Sequence, residues 1–321
     1  MAPPRPPRRP QVYARLKVER SKEKRAKKLD KKKALEAALA AGQAPPPAQR
    51  PRTIDADSRK ADATTVTAGD AEVEAEERED EFAEHFNLSR PPKVLVTTHR
   101  RPSRHMWAFL GEFMEVLPRC EFAERRGLPL KNIVKWADER EFSDLLVFHE
   151  SPGGTSEGGT SGVDGMMHVH LPTGPTARYA LKSLLLSKDI PNCGRATDHR
   201  PELVLNGFHT RLGHRIGRMF ASLWHQDPEF TGRRVCTMHN QRDFIFFRHH
   251  RYVFEEKLRR AKPTDADSEK QKLVKARLQE LGPRFTLKLQ TLQRGTFADA
   301  DGEFEFVKKG QDRDSAKRFW L

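Results

Sequence analysis

The chain is poor in the residues that build covalent or metal staples. Of its 321 residues, three are cysteines, three tyrosines and four tryptophans. Cys120, Cys193 and Cys236 lie far apart and form no Cys-x-x-Cys pair, so neither a zinc knuckle nor a dithiol redox motif is expected. Three dispersed cysteines suit a reducing compartment. No apolar run reaches about 18 residues, which argues against a transmembrane helix. The Pro/Arg-rich start lacks the apolar core of a secretory signal. The Gly/Ser stretch 151–165 lacks the Gly-Lys-Ser/Thr ending of a phosphate-binding loop and reads as a flexible connection. His168-x-His170 puts two imidazoles on one strand face but brings no further ligands, and His249 and His250 point to opposite faces. No carboxylate pair or nucleophile motif stands out. An enzyme, a cofactor, a metal and a small-molecule substrate are therefore not expected.

What is present is charge. The net charge is +14, with 36% hydrophobic residues. An excess of Lys and Arg points to a polyanionic partner. The charge is unevenly spread. Residues 1–52 hold 16 Lys/Arg against 4 Asp/Glu and form a basic arm. Its densest part contains Lys24, Arg25, Lys27, Lys28, Lys31, Lys32 and Lys33, the pattern of a nuclear-targeting or RNA-contacting patch, against the plainer reading of a solvated charge run. Residues 55–84 invert the sign, with 12 acidic and 3 basic residues, so 53–90 reads as an acidic disordered linker that could shield the arm. The remainder, 85–321, carries +11.

The folded region is expected to span 91–310, with a tail at 311–321 that docks on the domain or on a partner. Lys93–Thr98 reads as a strand, followed by a helix capped by Ser103 with its stripe at Met106, Phe109, Leu110, Phe113, Met114 and Leu117. The pattern recurs. Glu202–Phe208 reads as a strand, followed by a helix capped by Thr210 with its stripe at Leu212, Ile216, Met219, Phe220 and Leu223. Each unit then runs into hairpin-like segments, so the expected fold is α/β (α+β) in two similar halves, about 91–190 and 200–310. Phe244–Phe247 is apolar at every position and predicts a strand covered on both faces. The charged stretch 255–280 is expected to be a broken helix or a loop.

Residues 282–297, Gly-Pro-Arg-Phe-Thr-Leu-Lys-Leu-Gln-Thr-Leu-Gln-Arg-Gly-Thr-Phe, alternate Phe285, Leu287 and Leu289 with Arg284, Thr286 and Lys288. That period of two predicts a strand with a buried face and a wet, basic face, with Arg294 at its exit. The run resembles the C-terminal motif of Brix-domain proteins, the eukaryotic ribosome-assembly factors. Thr210–Leu223, Phe230–Val235 and His239–Phe247 agree with it, and the resemblance covers roughly 90–321. It implies two halves, each similar to an anticodon-binding domain of aminoacyl-tRNA synthetases. It also implies a nuclear, nucleolar role in maturing the large ribosomal subunit, with precursor rRNA and other assembly factors as partners, no membrane and no catalysis.

On the second helix Arg211, His214, Arg215 and Arg218 share one face, with Gly213 and Gly217 between them. They are candidate phosphate contacts near a helix N-terminus. The alternative is that they pair with acidic residues or a protein partner. Arg100, Arg101 and Arg104 hold the corresponding place in the first half, and Arg284, Lys288 and Arg294 complete the candidate RNA-binding set. Without an aromatic signature of an RNA-recognition motif, contact with the backbone is expected over base reading. A purely protein-binding scaffold and an RNA-processing nuclease are the alternatives.

Overall fold

The computed structural model describes residues 64–67, 69–151, 162–226, 233–258, 272–296, 303–308 and 319–321, with Arg25 and Leu29. Chain contacts divide it into Met1–Thr53 and Ile54–Leu321. The first unit lies outside the described residues except for Arg25, which is exposed, and Leu29.

The second unit opens with α1 (Ala71–Glu79) and α2 (Ala83–Phe86). It continues with β1 (Val94–Thr98), α3 (Arg104–Met114), β2 (Cys120–Phe122) and α4 (Leu130–Glu139). Three strands follow, β3 (Asp144–Glu150), β4 (Val163–His170) and β5 (Thr176–Leu185). Then come β6 (Glu202–Asn206), α5 (Arg211–Ala221), β7 (Arg234–Gln241) and β8 (Phe244–Leu258). The last described strands are β9 (Lys272–Glu280), β10 (Arg284–Gln293) and β11 (Phe304–Val307). They form one sheet in the order β2-β1-β3-β4-β5-β10-β8-β7-β6, with β11 on β10 and β9 on β8.

The pairing reveals the duplication. β1 runs parallel to β3, which is followed by antiparallel β4 and β5. β6 runs parallel to β7, which is followed by antiparallel β8 and β10. The two halves meet where β5 and β10 pair antiparallel, Leu181 opposite Leu287. The Gly-Pro motif therefore supplies the seam strand. Gly282 has φ +74, and a Cβ there would stand 2.7 Å from Ser187 Oγ, so a larger residue would be both strained and obstructed. Ser187 Oγ donates to Leu281 O at 2.8 Å, which fixes this turn against the first half.

Both helix caps read from the sequence form. Ser103 Oγ accepts from Met106 N at 3.2 Å, and Thr210 Oγ1 accepts from Gly213 N at 2.9 Å. α3 and α5 pack on one side of the sheet in a single core. There Phe109 and Phe113 meet Phe148 and Phe285, and Ile216, Met219 and Phe220 meet Tyr179. Leu287 and Leu289 enter this core as the alternation predicts. α4, which the sequence reading missed, covers the other side under the first half. Its Ile133, Val134 and Ala137 pack on Leu145, Val147 and Met167. Their spacing, i, i+1 and i+4, was the available signal.

Four expectations need correction. The acidic stretch read as a disordered linker contains α1 and α2 in its described part. Asp70 caps α1, its Ala/Glu composition favours helix, and Phe82 beyond it is fully buried. The stretch 255–280 is neither helix nor loop in its described residues. β8 continues to Leu258 and pairs with β9 from His250–Glu280 to Leu258–Lys272, because backbone pairing overrides the helical propensity of Lys, Leu, Gln and Glu. Among the described residues Phe244–Phe247 is fully covered on one face alone. Ile245 and Phe247 are buried, whereas Phe244 and Phe246 are half-buried. Lys288 is not wet, being 7% exposed with its ammonium 4.2 Å from the centre of the Phe244 ring. The tail question also has an answer for its described end. Trp320 N and Leu321 N donate to Asp243 Oδ1 at 2.7 and 3.0 Å, and the Leu321 side chain is buried in the main core.

Candidate nucleic-acid interface

The structure splits the ten candidate RNA-binding residues into three places. The first is the polar face of α5. Its apolar stripe, Ile216, Met219 and Phe220, turns into the core, so Arg211, Arg215 and Arg218 must turn outward. They meet α1 and the residues after it. Arg211 Nη2 donates to Glu72 Oε2 at 2.8 Å, and His214 Nδ1 to Glu77 Oε1 at 3.1 Å. Arg215 bonds Glu81 through both terminal nitrogens, at 3.3 and 3.2 Å, and Glu305 at 3.0 Å. Arg218 grips Asp80 with two bonds of 2.7 Å and lies 4.1 Å from the centre of the Phe86 ring. The alternative left open by the sequence, pairing with acidic residues, is what the structure shows. Exposed Arg294 lies near enough to help lower the pKa of Glu81, which burial alone would raise.

The second place is the loop before α3. Arg100 and Arg101 precede the Ser103 cap and Arg104 opens the helix, and all three are exposed. The third is the sheet face opposite α3 and α5. Arg178 lies opposite Met167, and Lys182 opposite Thr286, which lies opposite Phe246. The two-residue period therefore puts Arg178 and Lys182 of β5, Arg284 and Lys288 of β10, and Arg248 of β8 on one face. Arg178 and Lys182 are exposed, while Arg248 and Arg284 are half-buried. Arg284 Nη1 reaches Glu280 Oε2 at 3.5 Å, and its Nε is buried without a hydrogen-bond partner. Burial, and next the charge of Arg284, lower the pKa of Arg248 against the opposing pull of Glu280. Sequence reasoning missed Arg178, Lys182 and Arg248 because only strand register brings them beside the motif.

A buried polar cluster explains the two strand histidines. Asp144 Oδ1 accepts from His168 Nε2 at 2.9 Å, His170 Nδ1 at 2.8 Å and Ser222 Oγ at 3.1 Å. Burial would raise Asp144, but the charge and hydrogen bonds of these histidines outweigh it and hold the carboxyl below the usual range. Burial lowers His168, and for His170 the Asp144 carboxylate more than offsets burial and raises it. His170 also packs on Phe82 with ring centres 4.6 Å apart, and its Nε2 donates to Glu81 O at 3.2 Å. The cluster thus ties β3, β4 and the end of α5 to the segment following α1. Among the described residues no group of three His, Cys, Asp or Glu is placed to hold a metal ion. None of the described helices is long and apolar enough to cross a membrane.

Of the targeting cluster, Arg25 is described, while Lys24, Lys27, Lys28, Lys31, Lys32 and Lys33 lie outside the described residues.

A Brix domain model matches residues 99–291, which contain both halves' first helices and most of the seam strand. Ribosome production factor 1 of Pongo abelii is 44% identical over 312 residues, covering 97% of this chain and 81% of that protein. The chain belongs to the Brix-domain family. A Brix domain-containing protein of Schizosaccharomyces pombe is 40% identical over 254 residues, covering 78% of this chain and 77% of its own. A probable ribosome production factor 1 of Drosophila melanogaster is 37% identical over 304 residues, covering 93% and 71%. A crystal structure of a probable ribosomal biogenesis protein from Aeropyrum pernix aligns with a TM-score of 0.41 and 14% identity, over 61% of this chain and 96% of that one. The matched residues reach Thr291 of β10, the strand on which the two halves pair.

Proposed function

We propose that this Brix-domain chain is a non-enzymatic assembly factor of the large ribosomal subunit, acting in the nucleolus by binding precursor rRNA. The observation that carries the reading is the convergence of Arg178, Lys182, Arg248 and Arg284, from both halves, on one sheet face across the seam, with Lys288 buried among them. The relatives called ribosome production factors and the net charge of +14 support it. The mechanism is positional. Cations on a rigid sheet neutralise phosphates and release counterions, which holds an RNA segment in register with the protein. The basic arm of residues 1–52 adds affinity and nuclear targeting, and other assembly factors dock elsewhere on the particle.

A salt titration with precursor rRNA tests this. Arg178→Glu, Lys182→Glu and Arg284→Glu together should flatten the log–log salt slope by about two to three units, since each phosphate contact contributes roughly 0.7–0.9. Full affinity for a protein partner with no affinity for bare RNA would favour the scaffold reading, for which the α5 face, satisfied by carboxylates, is the precedent within the chain.

A further inference from the structure

The basic sheet face is also aromatic, along a single strand. Every second residue of β8 stands on it, namely Phe244, Phe246, Arg248, His250, Tyr252 and Phe254. On the other face Ile245, Phe247 and His249 are buried, whereas Val253 on the hairpin beyond is 44% exposed. Successive side chains on one face of a strand stand roughly 7 Å apart. The exposure rises along the row. Phe244 and Phe246 are half-buried over the sheet centre, whereas Phe254 is 64% exposed on the hairpin that β8 and β9 extend beyond β7. Leu278 lies opposite Tyr252 on that hairpin and is 63% exposed. The cations flank the row. Arg248 lies within it, 5.7 Å from the centre of the Phe246 ring, and Arg284 on the neighbouring strand and exposed Arg178 and Lys182 on the next stand beside it, while Lys288 is buried against Phe244. Among the described residues α4 covers this face only beneath the first half.

We propose that this face is a platform for unpaired RNA, with the rings of β8 stacking bases and the flanking cations holding the backbone. The proposal rests on the RNA-binding reading above and adds the form of the ligand. Two described carboxylates beside the row are engaged within the face, since Glu280 meets Arg284 and Glu202 accepts from Tyr252 Oη at 3.0 Å. The face therefore presents rings and positive charge together. A duplex offers phosphates but keeps its base faces stacked, so exposed Phe254 and half-buried Phe246 would gain nothing from one. An unpaired strand offers both, and ring–base stacking tolerates any sequence. A row of rings unsuited to a hydrophobic core thereby acquires a purpose that neither folding nor phosphate binding supplies.

The test uses the full chain and fluorescence anisotropy with two probes, an oligouridine of about 12 nucleotides and an RNA hairpin with a stem of similar length. Phe254→Ala and Phe246→Ala are compared with Arg178→Glu. Phe254 is exposed, so Phe254→Ala remains informative even if Phe246→Ala perturbs the sheet. The expected result is tighter binding of the oligouridine, weakened about fivefold or more by Phe254→Ala. Hairpin binding should be unmoved by the ring variants, and Arg178→Glu should weaken both probes. Equal affinity for the two probes, or oligouridine affinity indifferent to both ring variants while Arg178→Glu weakens it, overturns the platform and leaves RNA binding standing. No binding of either probe overturns both readings. Loss of a protein partner but not of RNA on Phe254→Ala assigns the rings to that partner and overturns the platform.

Discussion

Arg218 of α5 holds Asp80 in a two-pronged grip, Nε to Oδ2 and Nη2 to Oδ1, each at 2.7 Å, with the two side chains only 15% and 13% exposed. Planar two-point pairing of this kind is geometrically specific and charge-assisted. At the other end of the same interface Arg211 and Glu72 are 44% and 68% exposed, where solvent screens the pair. The acidic segment is therefore anchored near Asp80 and Phe82 and loosely attached near Glu72.

That gradient sets the first prediction. Asp80→Ala leaves the largely buried Arg218 guanidinium with its 2.7 Å bond to Glu77 O and its 3.6 Å contact with Glu77 Oε2, and the loss of the two-point pair should cost about 1–3 kcal/mol in a urea melt. Glu72→Gln should leave the melt almost unchanged. Equal effects would mean that the segment is held uniformly. Changing Arg211, Arg215 and Arg218 together to Glu should lower the melting temperature sharply by setting like charges against α1 and Glu81.

Lys288 gives a second. Leu287→Asp buries a carboxylate in the main core and should cost several kcal/mol. Lys288→Glu puts a charge into a site only 7% exposed, against the Phe244 ring, and should cost about 1–3 kcal/mol. Arg178→Glu, on the same face but exposed, should stay within about 0.5 kcal/mol. Thermal melts of the three variants give the ranking directly.

The buried cluster gives a third. Asp144→Asn removes the anion that His170 faces at zero exposure of the carboxylate, and breaking such a pair costs about 3–5 kcal/mol. Because His170 touches Phe82 and Glu81, the amides of residues 80–86 should exchange with solvent faster in this variant. Unchanged exchange there would separate the cluster from the segment it contacts.

A fourth concerns pH. His249 accepts from Arg234 Nε at 3.2 Å and donates through Nδ1 to Gly282 O at 2.7 Å, and burial pushes it down from 6.5 to about 4. The unfolded chain takes up a proton below pH 6.5 that the folded chain refuses until about pH 4. Stability is thus lost as pH falls through that window, by up to ~1.4 kcal/mol per unit for one group. His249→Gln should shallow the fall between those values, measured by urea melts across the range.

The sequence alone determined the periodic features. The caps at Ser103 and Thr210, the two helix stripes, the recurrence of strand and helix, and the inward set Phe285, Leu287 and Leu289 all follow from spacing, because helices and strands impose fixed periods on side-chain direction. The family likeness was legible for a different reason, the residue-by-residue resemblance of the Gly282–Phe297 run to the Brix motif. Only the tertiary structure decided what each polar face meets. The α5 arginines look like a phosphate site until α1, some 140 residues earlier in the chain, is seen lying across them. Phe244 and Phe246 look like core until they are found half-buried, and Lys288 looks wet until its ammonium is found against the Phe244 ring. Asp144, His168 and His170 came together only through strand register and the approach of Ser222. Periodicity tells which way a side chain points along its own element, but its partner is set by contacts between residues distant in sequence, for which one chain read in order carries no local signal.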